Sequence, residues 1–351
     1  MNDSDRRKLL IHRFHEFERF MHYLRDRVKG VRLRAGDEIA IKDLLQDFLT
    51  RESEHTRDIV RRLGSKELSL KNAEFLCDLL RMQIDYVSSW IDRMLFHEAS
   101  SDMYYFVEKY LETLRTDEKT AVMVVRGVSL FCFSFNDLVL TTFAIHLEVT
   151  KTLWVIECPV RVDNNPFEWP IVLHEVAHII ETEVLKIVRK KFPADFYDSE
   201  TSEGKKYYHC REYASDLIAM LCIGPVYAFR MYDMYATPTY ILPREHPEWI
   251  SRADVLMRKV KGYFSDILVA DEVQRKVSEI ESALKIEQPI YTCPIELDEI
   301  IKSIEKDVSP VNLQKNEFQS AIGRIKSFLP FVGDVSTLLN AAYLVYRLEL
   351  V

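Results

Sequence analysis

From Ser4 to about Leu114 apolar residues recur at three-to-four spacing between charged faces, as in LLIHRFHEFERFMHYL, EIAIKDLLQDFL and AEFLCDLLRMQIDYVSSWIDRMLF. That period is the mark of amphipathic helices, and the stretch predicts four or five of them. Between Thr120 and Val160 the period changes. AVMVVRG, SLFCFSF, TTFAIHLEV and TLWVIECPV are rich in β-branched and aromatic residues, with breaks at Arg126-Gly127, Asn136-Asp137 and Thr150-Lys151-Thr152. They predict a three- or four-stranded antiparallel meander. RVDNNPFEW ends it, and Pro170 opens a helix expected to run to about Lys190, because proline in a first turn forfeits no hydrogen bond. The polar stretch FPADFYDSETSEGKK predicts a surface loop, and a long helix from about Tyr207 to Tyr235 follows, bent at Gly224-Pro225. Beyond Pro243 the pattern is again helical to Val351.

The expected class is therefore α+β and predominantly α-helical, with a small antiparallel sheet. Three regions follow: a helical N-terminal region over 1–117, a core over 118–262 and a helical C-terminal region over 263–351. A chain of 351 residues can bury a substantial core. Its 9 Gly and 12 Pro favour helices over turn-rich β architecture. The net charge is -8, and the basic residues are scattered among acidic ones. Such a surface has no footprint for a phosphate backbone, so nucleic acid is not an expected partner. Six cysteines without a CxxC pair fit reduced thiols, and the polar start Met1-Asn2-Asp3-Ser4 lacks a signal-peptide hydrophobic region. Both point to a cytoplasmic protein. The most apolar run, Val128 to Leu147, contains Asn136 and Asp137, and the tail from Phe328 is broken by Pro330, Gly333, Asp334 and Asn340. No membrane span is expected.

Chemistry concentrates in IVLHEVAHIIE, residues 171 to 181. On a helix His174 and His178 share one face, so both imidazoles can aim at one ion. Glu175 lies about 100° round from His174, suited to a water rather than to the metal. His97-Glu98 begins the same pattern, but Ser101 stands where the second histidine belongs. A third ligand must come from elsewhere, and REYASDLIA supplies Glu212 and Asp216, again four apart. One carboxylate can bind the metal while the other accepts the remaining ring N–H of a histidine and fixes its tautomer. His209, one turn before Glu212, can substitute as a ligand or line a cleft, although a surface role is the simpler reading. His12, His15 and His22 read as solvated, and Tyr207, Tyr208, Tyr213 and Tyr240 are candidate oxyanion donors.

HEVAH followed by REYASD resembles the gluzincin clan of zinc metallopeptidases, whose pattern is HExxH and then ExxxD on the next helix. HPEWISR, residues 246 to 252, is similar to the HPPxxxR element of the integral-membrane zinc proteases that include the CAAX prenyl protease and heat-shock-induced bacterial membrane proteases. The likeness covers roughly residues 165 to 255, with Glu248 in place of the second proline and without that family's membrane spans. The resemblance implies a zincin-like core with an active-site helix and a following glutamate helix. By position it makes His174, His178 and Glu212 the Zn2+ ligands, Glu175 the general base and Asp216 the group behind a ligating histidine. His246 and Arg252 fall near the active site, His246 as an oxyanion donor or a helix cap and Arg252 as a brace. The implied activity is that of a zinc metallopeptidase of endopeptidase type acting on peptides or unfolded protein. A sheet edge can hold such a substrate, either TTFAIHLEV or, preferred, TLWVIECPV. The alternatives are a non-catalytic interaction or scaffold protein that retains a zinc-binding zincin core, and a zinc hydrolase of a non-peptide bond.

Overall fold

The structure is a computed structural model that describes residues 2–35, 37–114, 120–144, 147, 151–179, 201–236, 247–267, 271–287, 299, 302–304, 308–327 and 334–349. The chain is predominantly helical with a small three-stranded sheet. It divides into two compact units, Met1–Tyr105 with Thr116–Val160, and Phe106–Arg115 with Arg161–Val351. Among the described residues no helix is long and apolar enough to cross a membrane.

The first unit begins with α1 (Asp3–Gly30), α2 (Glu38–Gly64) and α3 (Leu70–Phe96), and α4 (Ser101–Thr113) starts within it. The Asn2 and Ser69 side chains cap α1 and α3 by accepting from Asp5 and Asn72 backbone N–H groups, at 2.9 and 3.2 Å. The three-to-four period of the sequence becomes buried faces: Leu10 and Phe14 of α1 meet Ile59 and Leu63 of α2 and Ala73, Cys77 and Leu80 of α3.

The strands are β1 (Thr120–Gly127), β2 (Phe131–Ser134) and β3 (Thr152–Pro159), in the order β1-β3-β2. β1 runs parallel to β3 and β2 antiparallel to it, so the sheet is mixed and not the expected antiparallel meander. The reason lies in SLFCFSFNDLVLTTF. Ser134 ends β2 and its hydroxyl accepts from the Asp137 N–H at 3.2 Å, starting helix α5 (Phe135–Phe143). Phe135, Val139 and Phe143 are then buried at four-residue spacing, a helical period. Thr141–Phe143 of the expected strand TTFAIHLEV therefore belong to α5, Ala144 ends it in the left-handed region (φ 55), and residues 145, 146 and 148–150 lie outside the described set. With β2, α5 makes the crossover that a parallel β1/β3 pair requires. TLWVIECPV is the central strand rather than an edge, so it cannot pair with a substrate as expected.

A single turn, α6 (Val160–Asp163), leads to α7, described over 169–179, then α8 (Ser202–Ile223), α9 (Val226–Ala236), α10 (Trp249–Tyr263) and α11 (Asp271–Glu287). Helices Lys315–Lys326 and Val335–Glu349 follow. α8 starts earlier than the sequence suggests: Thr201 caps it by accepting from the Gly204 N–H at 3.0 Å, so SEGKK is helical, while 192–200 lie outside the described residues. Its expected bend is a full break. Gly224 closes α8 at φ 96, and a Cβ there would stand 2.8 Å from Leu313 Cδ1 as well as in a strained backbone region. The buried Asn340 amide spans the break. Its Nδ2 donates to the Ile223 and Ser336 carbonyls at 2.6 and 2.7 Å, and its Oδ1 accepts from the Val226 N–H at 2.8 Å.

Asn340 thus sets how α9 leaves α8. Replacing it with leucine strands a buried carbonyl and a buried N–H, each costing about 1–3 kcal/mol. We expect Asn340→Leu to lower the urea midpoint accordingly, with the slope of the transition unchanged; an unaltered midpoint would show that the amide does not hold the break.

Candidate metal centre

All the site elements belong to the second unit. α7 carries His174, Glu175 and His178, α8 carries Glu212, Ser215 and Asp216, α9 carries Tyr227 and α10 carries Arg252. α7 is enclosed almost all round: Ile171, Val172, Leu173, Val176, Ala177 and Ile179 are buried. His174 and Glu175 are therefore buried too, at 6% and 7% exposure, and His178 is half-buried. Burial of such groups is costly unless they are partnered.

The two histidines converge with a glutamate of α8. His178 Nε2 lies 3.1 Å from His174 Nε2, Glu212 Oε2 lies 3.0 Å from His174 Nε2, and Glu212 Oε1 lies 3.6 Å from His178 Nε2. Ligand atoms placed tetrahedrally about 2.0–2.1 Å from one ion stand roughly 3.3 Å apart, so the spacing fits a shared cation. Among the described residues this is the one group of three or more His, Cys, Asp and Glu that could hold a metal ion.

The far sides of both rings are occupied. His174 Nδ1 lies 2.9 Å from Asp216 Oδ1, and His178 Nδ1 lies 3.1 Å from Ser215 Oγ. With Nδ1–H donated outwards, each ring turns its Nε2 lone pair to the same point. Asp216 is itself fixed. Arg252 donates through Nε to Oδ2 at 2.7 Å and through Nη2 to Oδ1 at 2.6 Å, and the Tyr227 hydroxyl donates to Oδ1 at 2.5 Å. The Arg252 guanidinium lies over the Trp249 ring, 4.8 Å from its centre.

The electrostatics follow from burial and these partners. Burial opposes charge on His174, but Glu212 and Asp216 outweigh it and push the imidazole up to about 10. Burial also works against the Asp216 carboxylate, yet Arg252 and His174 hold it well below the usual carboxylate range. Burial, then the Asp216 charge, raises the Tyr227 phenol well above its ordinary value, so it stays a donor. In the metal-free chain a proton on His174 therefore holds the place that suits a cation.

The structure thus brings His174, His178 and Glu212 together, with Asp216 behind His174 and Arg252 on Asp216. His246 and Tyr240 lie outside the described residues. His209 is half-buried on α8 and outside the three-residue group, and Tyr207 and Tyr208 flank Arg211, whose guanidinium lies 5.8 and 5.9 Å from their rings. Sequence reasoning missed Ser215 and Tyr227. Ser215 sits inside REYASD, and its position on α8, next to Asp216, was the available signal. Tyr227 gave none, since it lies past the helix break. No family model, curated protein or solved structure matches the chain.

The raised His174 has a definite sign. Ion binding must expel its proton, so affinity for a divalent cation should rise with pH from neutrality and level off near 10. Titration calorimetry with Zn2+ in two buffers of different ionisation enthalpy should register about one proton released per ion. No release at pH 7 would contradict the arrangement. For the metal-free chain, the His174 contribution to stability is fully present below 6.5 and is lost as pH rises towards 10; that of Asp216 is present above 3.8 and is lost in acid.

Proposed function

We propose that the chain is a zinc-dependent metallopeptidase of the gluzincin type that hydrolyses bonds in peptides or unfolded protein. The observation that carries this reading is the convergence of His174 Nε2, His178 Nε2 and Glu212 with both Nδ1 atoms already engaged. Two imidazoles and one carboxylate make a three-ligand set, which for zinc is the catalytic rather than the structural number. His174, His178 and Glu212 would hold a zinc ion, which would supply Lewis acidity and make a water there more acidic.

The chain's own residues do the rest. Glu175 follows His174 on α7 and is buried beside it, where a carboxylate can take a proton from the attacking water and return it to the leaving amine. Asp216 accepts from His174 and keeps its tautomer fixed, while Arg252 and Tyr227 prevent the carboxylate from turning away. Ser215 does the same for His178 with a neutral hydroxyl, so the two ligands differ in basicity.

The test separates metal from chemistry. Purified chain should bind about one zinc and cleave members of a peptide library read by mass spectrometry. Glu175→Gln should keep the zinc and slow cleavage by about 10²–10⁴. A wild-type chain that takes up no zinc after dialysis against it ends the proposal. Zinc bound without peptide cleavage points instead to a non-catalytic zincin core or to a non-peptide substrate.

A further inference from the structure

α3 is apolar on two faces, and the first unit uses only one of them. Ala73, Cys77, Leu80, Ile84, Val87 and Ile91 are buried, yet Phe75 is 68% exposed, Met82 66% and Tyr86 50%, with Leu79 half-buried between them. Positions 75, 79, 82 and 86 are spaced four, three and four, the spacing of a coiled-coil seam, and extend about 16 Å along the helix. A helix that only covers its own core carries polar residues there. At its C-terminal end the seam opens into a pocket of about 260 Å³ bounded by Tyr86, Trp90, Phe131, Phe133 and Asp137. Trp90 packs edge-on against Phe131 and Phe133, with ring centres 5.6 and 4.7 Å apart.

Charge narrows the choice of occupant. Asp78 and Asp85 are exposed at the flanking position of this heptad, seven residues apart, and Asp137 is exposed at the pocket. None of the three is ion-paired among the described residues, and Arg81, one step further round the helix, pairs with neither aspartate. Two copies of α3 packed antiparallel would bring Asp78 of one against Asp85 of the other, a repulsion that disfavours self-association. An anionic lipid surface is repelled for the same reason. A helix with lysines or arginines beside its apolar stripe is complementary to the seam and to the two aspartates that flank it.

We propose that this face of α3 docks a basic amphipathic helix of a partner protein. The partner's apolar stripe lies along Phe75, Leu79, Met82 and Tyr86, with its lysines or arginines facing Asp78 and Asp85.

The probe is a fluorescein-labelled synthetic helix of about 21 residues, with leucines at four-three spacing and lysines on both flanks, titrated with the full chain by fluorescence anisotropy. It should bind, and two comparators should bind about tenfold more weakly or worse: one with glutamate for each lysine, one with serine for each leucine. Met82→Ser and Tyr86→Ser should each weaken binding by about tenfold while leaving the thermal midpoint in place, since both side chains face solvent. Asp78→Asn with Asp85→Asn should weaken it by about fivefold and flatten its dependence on salt. Equal binding by Met82→Ser, or by the leucine-free peptide, overturns the proposal by reducing the contact to net charge. So does a dimer in sedimentation that Met82→Ser dissolves, or adsorption to phosphatidylserine vesicles that displaces the peptide.

Discussion

The carboxylate of Asp216 is the point on which the site depends. It joins four helices through one buried group: His174 from α7, its own α8, Tyr227 from α9 and Arg252 from α10. A buried bidentate arginine pair of this kind resists removal of either partner, because the survivor is left as an uncompensated charge costing about 3–5 kcal/mol. Formal charge shows why the cluster suits a dication. Glu212 and Asp216 both lie against His174 and Arg252, so negative charge gathers on the side of His174 that faces His178.

The geometry is set from a distance. Asn340, on the last helix, closes both sides of the α8–α9 break, and Gly224 supplies the backbone turn that no other residue adopts without strain. Tyr227 comes immediately after that break. Its hydroxyl reaches Asp216 only because α9 departs from α8 at the angle those contacts fix. The last helix is thus part of what holds the candidate metal-binding group in register, although it contributes no residue to it.

This dependence explains what the sequence could reveal. His174, Glu175 and His178, and likewise Glu212 and Asp216, were legible because four-residue spacing on a helix is local information. That Ser215 would serve His178 required the rotation of α8 against α7, and the role of Tyr227 required the break, neither of which periodicity encodes. The helical class was legible for the same local reason. The sheet was less so: β-branched and aromatic residues marked the strand region, but the same residue types also fill α5. The cap that Ser134 makes to the Asp137 N–H is what commits these residue types to a helix. Parallel pairing of β1 with β3 is a tertiary choice, made once α5 intervenes.

Two helices break the ordinary amphipathic rule, in opposite directions. α7 has polar side chains where its packing demands apolar ones, and each described partner explains one of them. α3 has apolar side chains where solvent demands polar ones, and nothing in its own unit covers them. A buried polar group needs a partner inside the fold, whereas an exposed apolar seam needs one outside it. The same physical rule, violated on the two sides of the surface, therefore separates the chemistry of the second unit from the recognition we assign to the first.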